Sequence, residues 1–210
     1  MEPYITYYFA MESVGAFEFA ELFDGCARPW EVLLRAKAIV TSDRIAASAR
    51  IHPSVELKGP VWIGENAEIG HGALIRPYSV IGANCSVGHG SEVKHCVMLN
   101  GSKVASLAFA GDSLLGRSAR LGSGAITANR KFNQTNVTCR GEDLHSDYFG
   151  LVLGDCSRLG ANCVTQPGTH IGAYSWVFPL TDVRGFIPSR KRVFRERSLT
   201  MQDNDAVELT

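Results

Sequence analysis

The sequence contains no CxxC pair, no excess of charge of either sign and no apolar run long enough to span a membrane. Its six cysteines are scattered and have no histidine at zinc-ligand spacing, so the pattern predicts neither a metal site nor a disulfide framework. The 21 Lys and Arg residues balance the 21 Asp and Glu residues, which removes any charge-based reason to expect nucleic acid or a membrane surface as a partner. Because no basic segment precedes the short apolar stretch at the N-terminus, we expect a cytoplasmic protein.

What the sequence does contain is a repeat of six residues. Starting at Ile51, every sixth residue as far as Leu99 is Ile, Leu or Val, which gives nine consecutive matches. Mostly small residues recur four places after each match, and Gly often follows the aliphatic residue, where we expect it to supply the backbone freedom of a sharp corner. The step of six predicts an all-β solenoid, a parallel β-helix, because the period-two alternation of a β-sandwich does not explain it.

We divide the chain into three segments. Residues 1–50 are predicted to be an N-terminal segment with a helix from Pro29 to Val40, which has Pro in its first turn and packs on the open end of the solenoid. Residues 51–187 form the β-helix. Residues 188–210 are predicted to be a basic C-terminal helix followed by a polar tail.

The six-residue period is interrupted twice. Asn100 to Ser113 shifts the phase, and Thr127 to Val152 is a longer excursion that is rich in Asn, Thr, Gly and charge. Long loops in a compact solenoid are usually functional or disordered, and we interpret both segments as functional.

The repeat resembles that of hexapeptide-repeat proteins, in which three hexapeptides complete one left-handed coil of eighteen residues. Residue n+18 then lies above residue n, about 4.8 Å away. Arg76 and Lys94 have this offset and are predicted to project from one corner as a cationic pair, which a phosphate group would neutralise. A structural salt bridge with Glu92 is the alternative. His71 and His89 share the same offset, but no third ligand accompanies them, so no metal is expected.

A family resemblance rests on two stretches, Leu99 to Gly116 and Leu121 to Phe132. They resemble the acetyltransferase domain of the bifunctional sugar-1-phosphate nucleotidyltransferase/glucosamine-1-phosphate N-acetyltransferase family, particularly its archaeal-type branch. The likeness extends from about residue 20 to residue 188. It implies a homotrimer that uses acetyl-CoA or CoA as cosubstrate and acts on a phosphorylated or nucleotide-linked amino sugar. Since no nucleotidyltransferase signature precedes residue 20, a separate nucleotidyltransferase is a possible partner.

The resemblance also assigns roles to individual residues. Asn129 matches an Asn near the acetyl-CoA thioester. Basic residues at substrate-binding positions are Arg76, Lys94, Arg120 and Lys131, of which Lys131 is supplied by a neighbouring chain. Residues on the expected path of the pantetheine arm are Ala161, Phe178 and Pro179.

Three positions depart from the family pattern. Ser106 stands where the family has its general-base His, Phe109 replaces the partner Tyr, and Arg120 replaces a substrate-binding Asn. A Ser hydroxyl does not accept a proton from an amine near neutral pH without activation. His95 or His145 are candidate substitute bases. Two hypotheses therefore stand: a CoA-dependent acyltransferase, or a non-catalytic sugar-phosphate or nucleotide-sugar binding or assembly module that has lost the catalytic His.

Overall fold

The six-residue step becomes a three-sided parallel β-helix in the computed structural model, which describes residues 4–139 and 141–196. Each coil contributes one short strand to each of three sheets, which we number in the order the chain visits them. Sheet 1 contains β1 (Arg44–Ile45), β4 (Trp62–Ile63), β7 (Val80–Ile81), β10 (Val97–Met98), β13 (Leu114–Leu115), β18 (Leu151–Leu153), β21 (Thr169–Ile171) and β24 (Phe186–Ile187).

Sheets 2 and 3 follow the same rule. Sheet 2 contains β2 (Arg50–Ile51), β5 (Glu68–Ile69), β8 (Ser86–Val87), β11 (Lys103–Val104), β14 (Arg120–Leu121), β19 (Arg158–Leu159), β22 (Trp176–Val177) and β25 (Arg192–Val193). Sheet 3 contains β3 (Glu56–Leu57), β6 (Leu74–Ile75), β9 (Glu92–Lys94), β12 (Phe109–Gly111), β15 (Ile126–Thr127), β20 (Val164–Thr165) and β23 (Asp182–Val183). The predicted solenoid is confirmed, and its strands extend beyond residues 51–187 at both ends.

The aliphatic series of the sequence fills the interior of the prism as far as Val93; Met98 then takes the inward position, and Leu99 lies in the core outside sheet 1. Ile63, Ile69, Ile75 and Ile81 are each at most 2% exposed and belong to one continuous core. The register places Ile63 opposite Ile81 on the next coil, so like side chains stack along the axis. Burial of these apolar columns stabilises the coils by about 25 cal/mol for each Å² removed from water.

The glycines after the aliphatic residues have a different role from the one expected. The left-handed corner conformation falls two residues later, for example at Asn84 (φ 56°) and Gly90 (φ 62°). A Cβ on Gly88 would lie 2.6 Å from the backbone nitrogen of Ser106 on the next coil. Gly is therefore required by the close approach of neighbouring coils, and the expectation of corner flexibility was wrong.

The first phase shift is a shortened corner and not a loop. Asn100 to Ser113 contains β11 and β12, which pair with both neighbouring coils. Val97 pairs with Leu114, an offset of 114 − 97 = 17, because the turn from sheet 3 to sheet 1 has lost one residue; the preceding coil, in which Val80 pairs with Val97, is shortened in the same way. The interpretation of this segment as a functional loop was wrong, although the shortened corner shapes the cleft described below.

The predicted helix in the N-terminal segment is confirmed, but it packs elsewhere than expected. The helices are α1 (Ile5–Tyr8), α2 (Met11–Gly15), a 3-10 turn (Ala20–Phe23) and α3 (Pro29–Ile39). They cover the outer side of sheet 1 and not the open end of the solenoid. The outward-facing residues of sheet 1 are apolar, as at Trp62, Val80 and Leu114, and they form a second core with α3. Hydrophobic burial therefore directs these helices to this side.

The long excursion leaves the prism between β15 and β18. It carries a small antiparallel hairpin of β16 (Thr138–Cys139) and β17 (Glu142–Asp143). Val137, Leu144 and Phe149 are buried in the core shared with the N-terminal helices. Much of the excursion is thus packed on its own chain.

The C-terminal helix was predicted wrongly over the described residues. Arg192–Val193 forms β25, which pairs with β22, and Val193 packs against the prism core. Val193 continues the inward-facing column of Val177 on this last coil, so burial on the prism core favours a strand over a helix. The remainder of the predicted helix and the tail, residues 197–210, lie outside the described residues.

Candidate functional site

A cleft of about 310 Å³ lies where the corner between sheets 3 and 1 meets α3 and the excursion. We call it the α3 cleft. Its cationic side chains are Lys37, Arg76 and Lys94, and its aromatic walls are Trp30 and Tyr148. The register brings Arg76 and Lys94 to successive coils, because Ile75 pairs with Val93. The shortened corner and the excursion therefore meet at the basic pair singled out in the sequence.

The cationic pair is neutralised by two carboxylates of the same chain. Arg76 Nη1 lies 2.8 Å from Glu92 Oε1, and Lys94 Nζ lies 2.9 Å from Asp112 Oδ2. The salt bridge with Glu92, which the sequence left as the alternative, is therefore formed. Because Arg76 remains 40% exposed, an anion that enters the cleft can compete with Glu92 for its guanidinium.

Asp112 is the centre of the cleft wall. Its side chain is only 5% exposed and accepts hydrogen bonds from Lys94 Nζ, from His95 Nδ1 at 3.0 Å and from Asn129 Nδ2 at 2.5 Å. Burial alone would raise the pKa of this carboxyl group. The hydrogen bonds and positive charges of His95 and Lys94 outweigh the burial, and the pKa lies below its ordinary value.

His95 is held at both ring nitrogens. Nδ1 faces the Asp112 carboxylate, and Nε2 lies 2.9 Å from the main-chain oxygen of Leu33 in α3. Both partners are hydrogen-bond acceptors, so each ring nitrogen faces a group to which it can donate. This ties α3 to the corner and leaves neither nitrogen directed at the cleft as a proton acceptor.

Tyr148 closes the cleft from the excursion. Lys94 Nζ lies 4.0 Å from the centre of its ring, and the Arg130 guanidinium lies 5.0 Å from the same centre. Both distances are within the range of a cation–π interaction. The phenol ring is thus held between two cations, which fixes this part of the excursion over the basic pair.

Two other predicted residues lie together on a different side. Ser106 and Arg120 line a shallow groove of about 260 Å³ on sheet 2, beside Lys103. Phe109 belongs to β12 on sheet 3 and lies outside both the groove and the α3 cleft. In the single chain, the predicted catalytic positions are therefore split between sides of the prism.

The predicted pantetheine positions lie on the corner between sheets 2 and 3. The hydrogen bond from the nitrogen of Leu180 to the oxygen of Ala161, 3.0 Å, shows that Pro179 stacks on Ala161 in the next coil. A Cβ on Gly160 would meet the Pro179 nitrogen at 2.5 Å. Phe178 is exposed at the same corner and packs against Phe194.

Two predicted residues lie within the excursion. Lys131 Nζ donates to the main-chain oxygen of Asn136 at 2.6 Å, which holds it on its own loop. His145 is exposed and lies 4.0 Å from Asp143. Neither residue lines the α3 cleft.

Asp112 and Tyr148 are the site residues that sequence reasoning missed. Asp112 follows Lys94 by 112 − 94 = 18, which is a signal in the sequence, although Lys94 pairs with Gly111 in these coils of seventeen residues and Asp112 stacks on His95. Tyr148 carries no such signal, because it belongs to the excursion, where the period is lost.

No metal-binding group is found in the part of the chain that the structure describes. Within residues 4–139 and 141–196, no three His, Cys, Asp or Glu side chains are placed to hold an ion. The cysteines in these ranges form no disulfide, and burial raises the pKa of Cys85 to about 11. No helix in the same ranges is long and apolar enough to cross a membrane.

The fold and the repeat define a hexapeptide-repeat β-helix, and several known proteins resemble it in sequence. The family model of the GMPPB C-terminal domain matches residues 57–147. The bifunctional sugar-1-phosphate nucleotidylyltransferase/acetyltransferase of Sulfurisphaera tokodaii is 32% identical in an alignment of 177 residues that covers 72% of this chain and 44% of that protein. The bifunctional protein GlmU of Methanocaldococcus jannaschii is 27% identical in an alignment of 187 residues that covers 79% of this chain and 46% of that protein.

The predicted resemblance is therefore confirmed: the chain carries a hexapeptide-repeat domain like the acetyltransferase domain of GlmU. It spans less than half the length of these relatives.

Solved structures show a weaker likeness. A variant of GDP-perosamine N-acetyl transferase from Caulobacter crescentus, in complex with CoA and GDP-perosamine, is 20% identical with a TM-score of 0.37, covering 72% of this chain and 52% of that chain. The acetyltransferase domain of PglB from Neisseria gonorrhoeae, in complex with acetyl coenzyme A, is 19% identical with a TM-score of 0.40, covering 70% and 55%. At this identity the likeness concerns the fold alone.

Proposed function

We propose that the protein is a CoA-dependent acyltransferase that transfers an acetyl group to the amine of a phosphorylated or nucleotide-linked sugar. The observation that carries the proposal is its sequence likeness, over 72% of the chain, to a relative named as a sugar-1-phosphate nucleotidylyltransferase/acetyltransferase. The α3 cleft supports it, because Arg76 is an exposed cation beside the aromatic walls of a cleft of ligand size.

In this reaction the amine attacks the thioester carbon, and a main-chain amide stabilises the developing oxyanion. Arg76 and Lys94 would hold the phosphate of the acceptor. Asn129, which the resemblance places near the thioester, bonds to Asp112 at the same corner as this basic pair. The pantetheine arm would follow the corner at Ala161 and Pro179, where successive coils stack. Positioning two substrates side by side supplies a large part of the rate.

The second candidate is a non-catalytic binding or assembly module for a sugar phosphate or nucleotide sugar. Ser106 favours it, because a Ser hydroxyl stands where the resembled family has its His and does not by itself accept a proton from an amine near neutral pH. Both candidates use the same cleft and corner, and they differ in turnover alone.

Mass spectrometry separates the two. Purified protein is incubated with acetyl-CoA and a panel of amino sugars, free, 1-phosphorylated and nucleotide-linked, and the acylated products are measured. We expect acylation of at least one phosphorylated or nucleotide-linked acceptor, and weak turnover of glucosamine-1-phosphate because Ser106 and Phe109 replace the His and Tyr of the resembled family. Binding of CoA and acceptor by calorimetry without any product would favour the module.

We also propose a homotrimer in which neighbouring prisms complete each site. The separation of Ser106 from Arg76 within one chain supports this, because a neighbouring prism would bring a second set of side chains to each side. Light scattering measures the mass directly. A stable monomer at micromolar concentration would remove the inter-chain site.

A further inference from the structure

Three histidines form a ladder on the corner between sheets 2 and 3. The ring centres of His52 and His71 are 5.0 Å apart, and those of His71 and His89 are 5.1 Å apart with an angle of 27° between the planes. All three are exposed. The role assignments above use none of them, and they stand on the three coils that precede Ser106.

The register places His89 directly before Ser106 on this corner. Val87 pairs with Val104, and the nitrogen of Leu107 donates to the oxygen of His89 at 2.8 Å. Each coil repeats this contact, so the column continues through Ser123 and Ala161 to Pro179. His89 is thus one strand spacing, about 4.8 Å, from the position where the resembled family has its base.

The hydrogen bonds of His89 fix the position of its proton. Nδ1 lies 2.9 Å from the main-chain oxygen of His71 and 3.1 Å from His71 Nδ1. A carbonyl oxygen only accepts, so Nδ1 of His89 carries the hydrogen and the neutral ring has its lone pair on Nε2. Within residues 4–139 and 141–196, Nε2 of His89 has no hydrogen-bond partner. This is the arrangement of a general base whose second nitrogen is oriented by the backbone.

The surroundings suit an anionic acceptor and a thioester. Gly88 and Ser106 border the groove on sheet 2 that contains Lys103 and Arg120, so cations lie next to the His89 corner. The corner itself leads to the Ala161 and Pro179 positions proposed for the pantetheine arm. His89 therefore lies at one end of the path on which the acyl group would arrive.

We propose that His89 is the general base of this protein, displaced by one coil from the position of Ser106. The inference rests on the proposed acyl transfer. The acceptor amine forms the new C–N bond with the thioester carbon, Nε2 of His89 takes the proton released from nitrogen, and the C–S bond breaks. The departing thiolate receives that proton, which regenerates the neutral ring and yields the amide and CoA thiol.

His95 and His145, the substitute bases considered from the sequence, are less suited to accept the proton of the acceptor amine. His95 has acceptors at both nitrogens, and Nδ1 of His145 faces Asp143, on the excursion and away from the corner column. His89 is the histidine with an oriented, open nitrogen next to Ser106.

The test compares His89→Gln with His52→Gln in the full chain. The acceptor with the highest turnover in the panel is used, and kcat, KM and the calorimetric affinity for CoA are measured. We expect His89→Gln to lower kcat by about 10²-fold or more, the usual contribution of a general base, with KM and CoA affinity unchanged. His52→Gln is the matched control, because it removes an exposed histidine from the same ladder two coils away, and it should retain the wild-type kcat.

Each outcome decides a separate point. Wild-type turnover that persists in His89→Gln overturns the base and leaves the proposed acyltransferase intact. Loss of CoA affinity in His89→Gln also overturns it, because the residue would then be a binding group. Absence of turnover in the wild type with every acceptor overturns both proposals. As a further arm, Ser106→His in the His89→Gln background should restore part of kcat, since it returns an imidazole to the adjacent place in the column; no recovery would contradict the equivalence of the two positions.

Discussion

The two corners that flank sheet 3 are built in opposite ways. The corner toward sheet 1 has lost a residue in two coils, and its polar side chains bond to one another around Asp112. The corner toward sheet 2 keeps its regular turn, is lined by glycines such as Gly88 and Gly160, and presents side chains in a column to solvent. The first corner is therefore a hydrogen-bonded cluster beside the α3 cleft, and the second is a column of side chains exposed to solvent.

The difference shows at which corner a ligand can bind without breaking existing hydrogen bonds. A ligand that uses the groups around Asp112 must replace the hydrogen bonds they already form. At the corner between sheets 2 and 3, His89 can be contacted without such a loss. A substrate that spans sheet 3 would be anchored by Arg76 at the first corner and would react at the second. Substitutions at each corner test this division.

The largest effect is expected from Asp112→Asn. The change leaves Lys94 and His95 facing an amide that cannot neutralise them, and the loss of one partner from such a buried charge cluster costs about 3 kcal/mol of unfolding free energy. Urea denaturation gives this quantity. Asp147→Asn is the matched control, since Asp147 lines the same cleft but forms a half-exposed pair with Arg130, worth at most about 1 kcal/mol. Equal losses in the two variants would contradict the central place of Asp112.

The next effect is expected from Gly160→Ala at the open corner. The added methyl group would lie 2.5 Å from the Pro179 backbone nitrogen, so the coils must separate, and we expect a loss of about 2 kcal/mol by thermal or urea unfolding. Gly15→Ala is the control, because no atom lies within 4 Å of the position of its methyl group. That variant should be as stable as the wild type or slightly more stable. An unchanged Gly160→Ala would mean that close coil approach does not explain the glycine.

The regular part of this molecule was predictable because one rule repeats. The step of six identified Ile63, Ile69 and their successors as core, and the +18 offset brought Arg76 and Lys94 to one corner. The irregular parts of the fold could not be predicted, for physical reasons. A one-residue deletion at a corner resembles a loop in sequence, although the strands continue. The basic run before Val193 was assigned to a helix, although it leads into the last strand of sheet 2. The site residue Tyr148 depends on how the excursion folds back, which no local pattern encodes.

A smaller effect on stability is expected when the pH is lowered. The pKa of Asp112 is lower in the folded protein than in the unfolded chain, so its contribution to stability is fully present above the unfolded value of about 4 and is lost as pH falls through the lower folded value. The difference in unfolding free energy between the wild type and Asp112→Asn should therefore be constant near neutral pH and narrow below about pH 4. Urea titrations at a series of pH values measure it. A difference that stays constant down to pH 3 would contradict the lowered pKa.

The smallest effect on stability is expected from Arg76→Ala. Arg76 and Glu92 are 40% and 32% exposed, and pairs of this kind contribute at most about 1 kcal/mol, so the unfolding free energy should hardly change. Binding should respond much more, because loss of a charge-assisted contact worth about 1.5–3 kcal/mol weakens a sugar phosphate roughly ten- to hundredfold. Affinity for CoA should not change, since its proposed path follows the other corner.

Calorimetry and urea denaturation on the same preparations separate the role of Arg76 in binding from its role in stability. Glu92→Gln is the matched variant, because it frees the Arg76 guanidinium and should strengthen phosphate binding. If Arg76→Ala loses stability and keeps its affinity for the sugar phosphate, the salt bridge is the whole role of Arg76 and the anion site lies elsewhere.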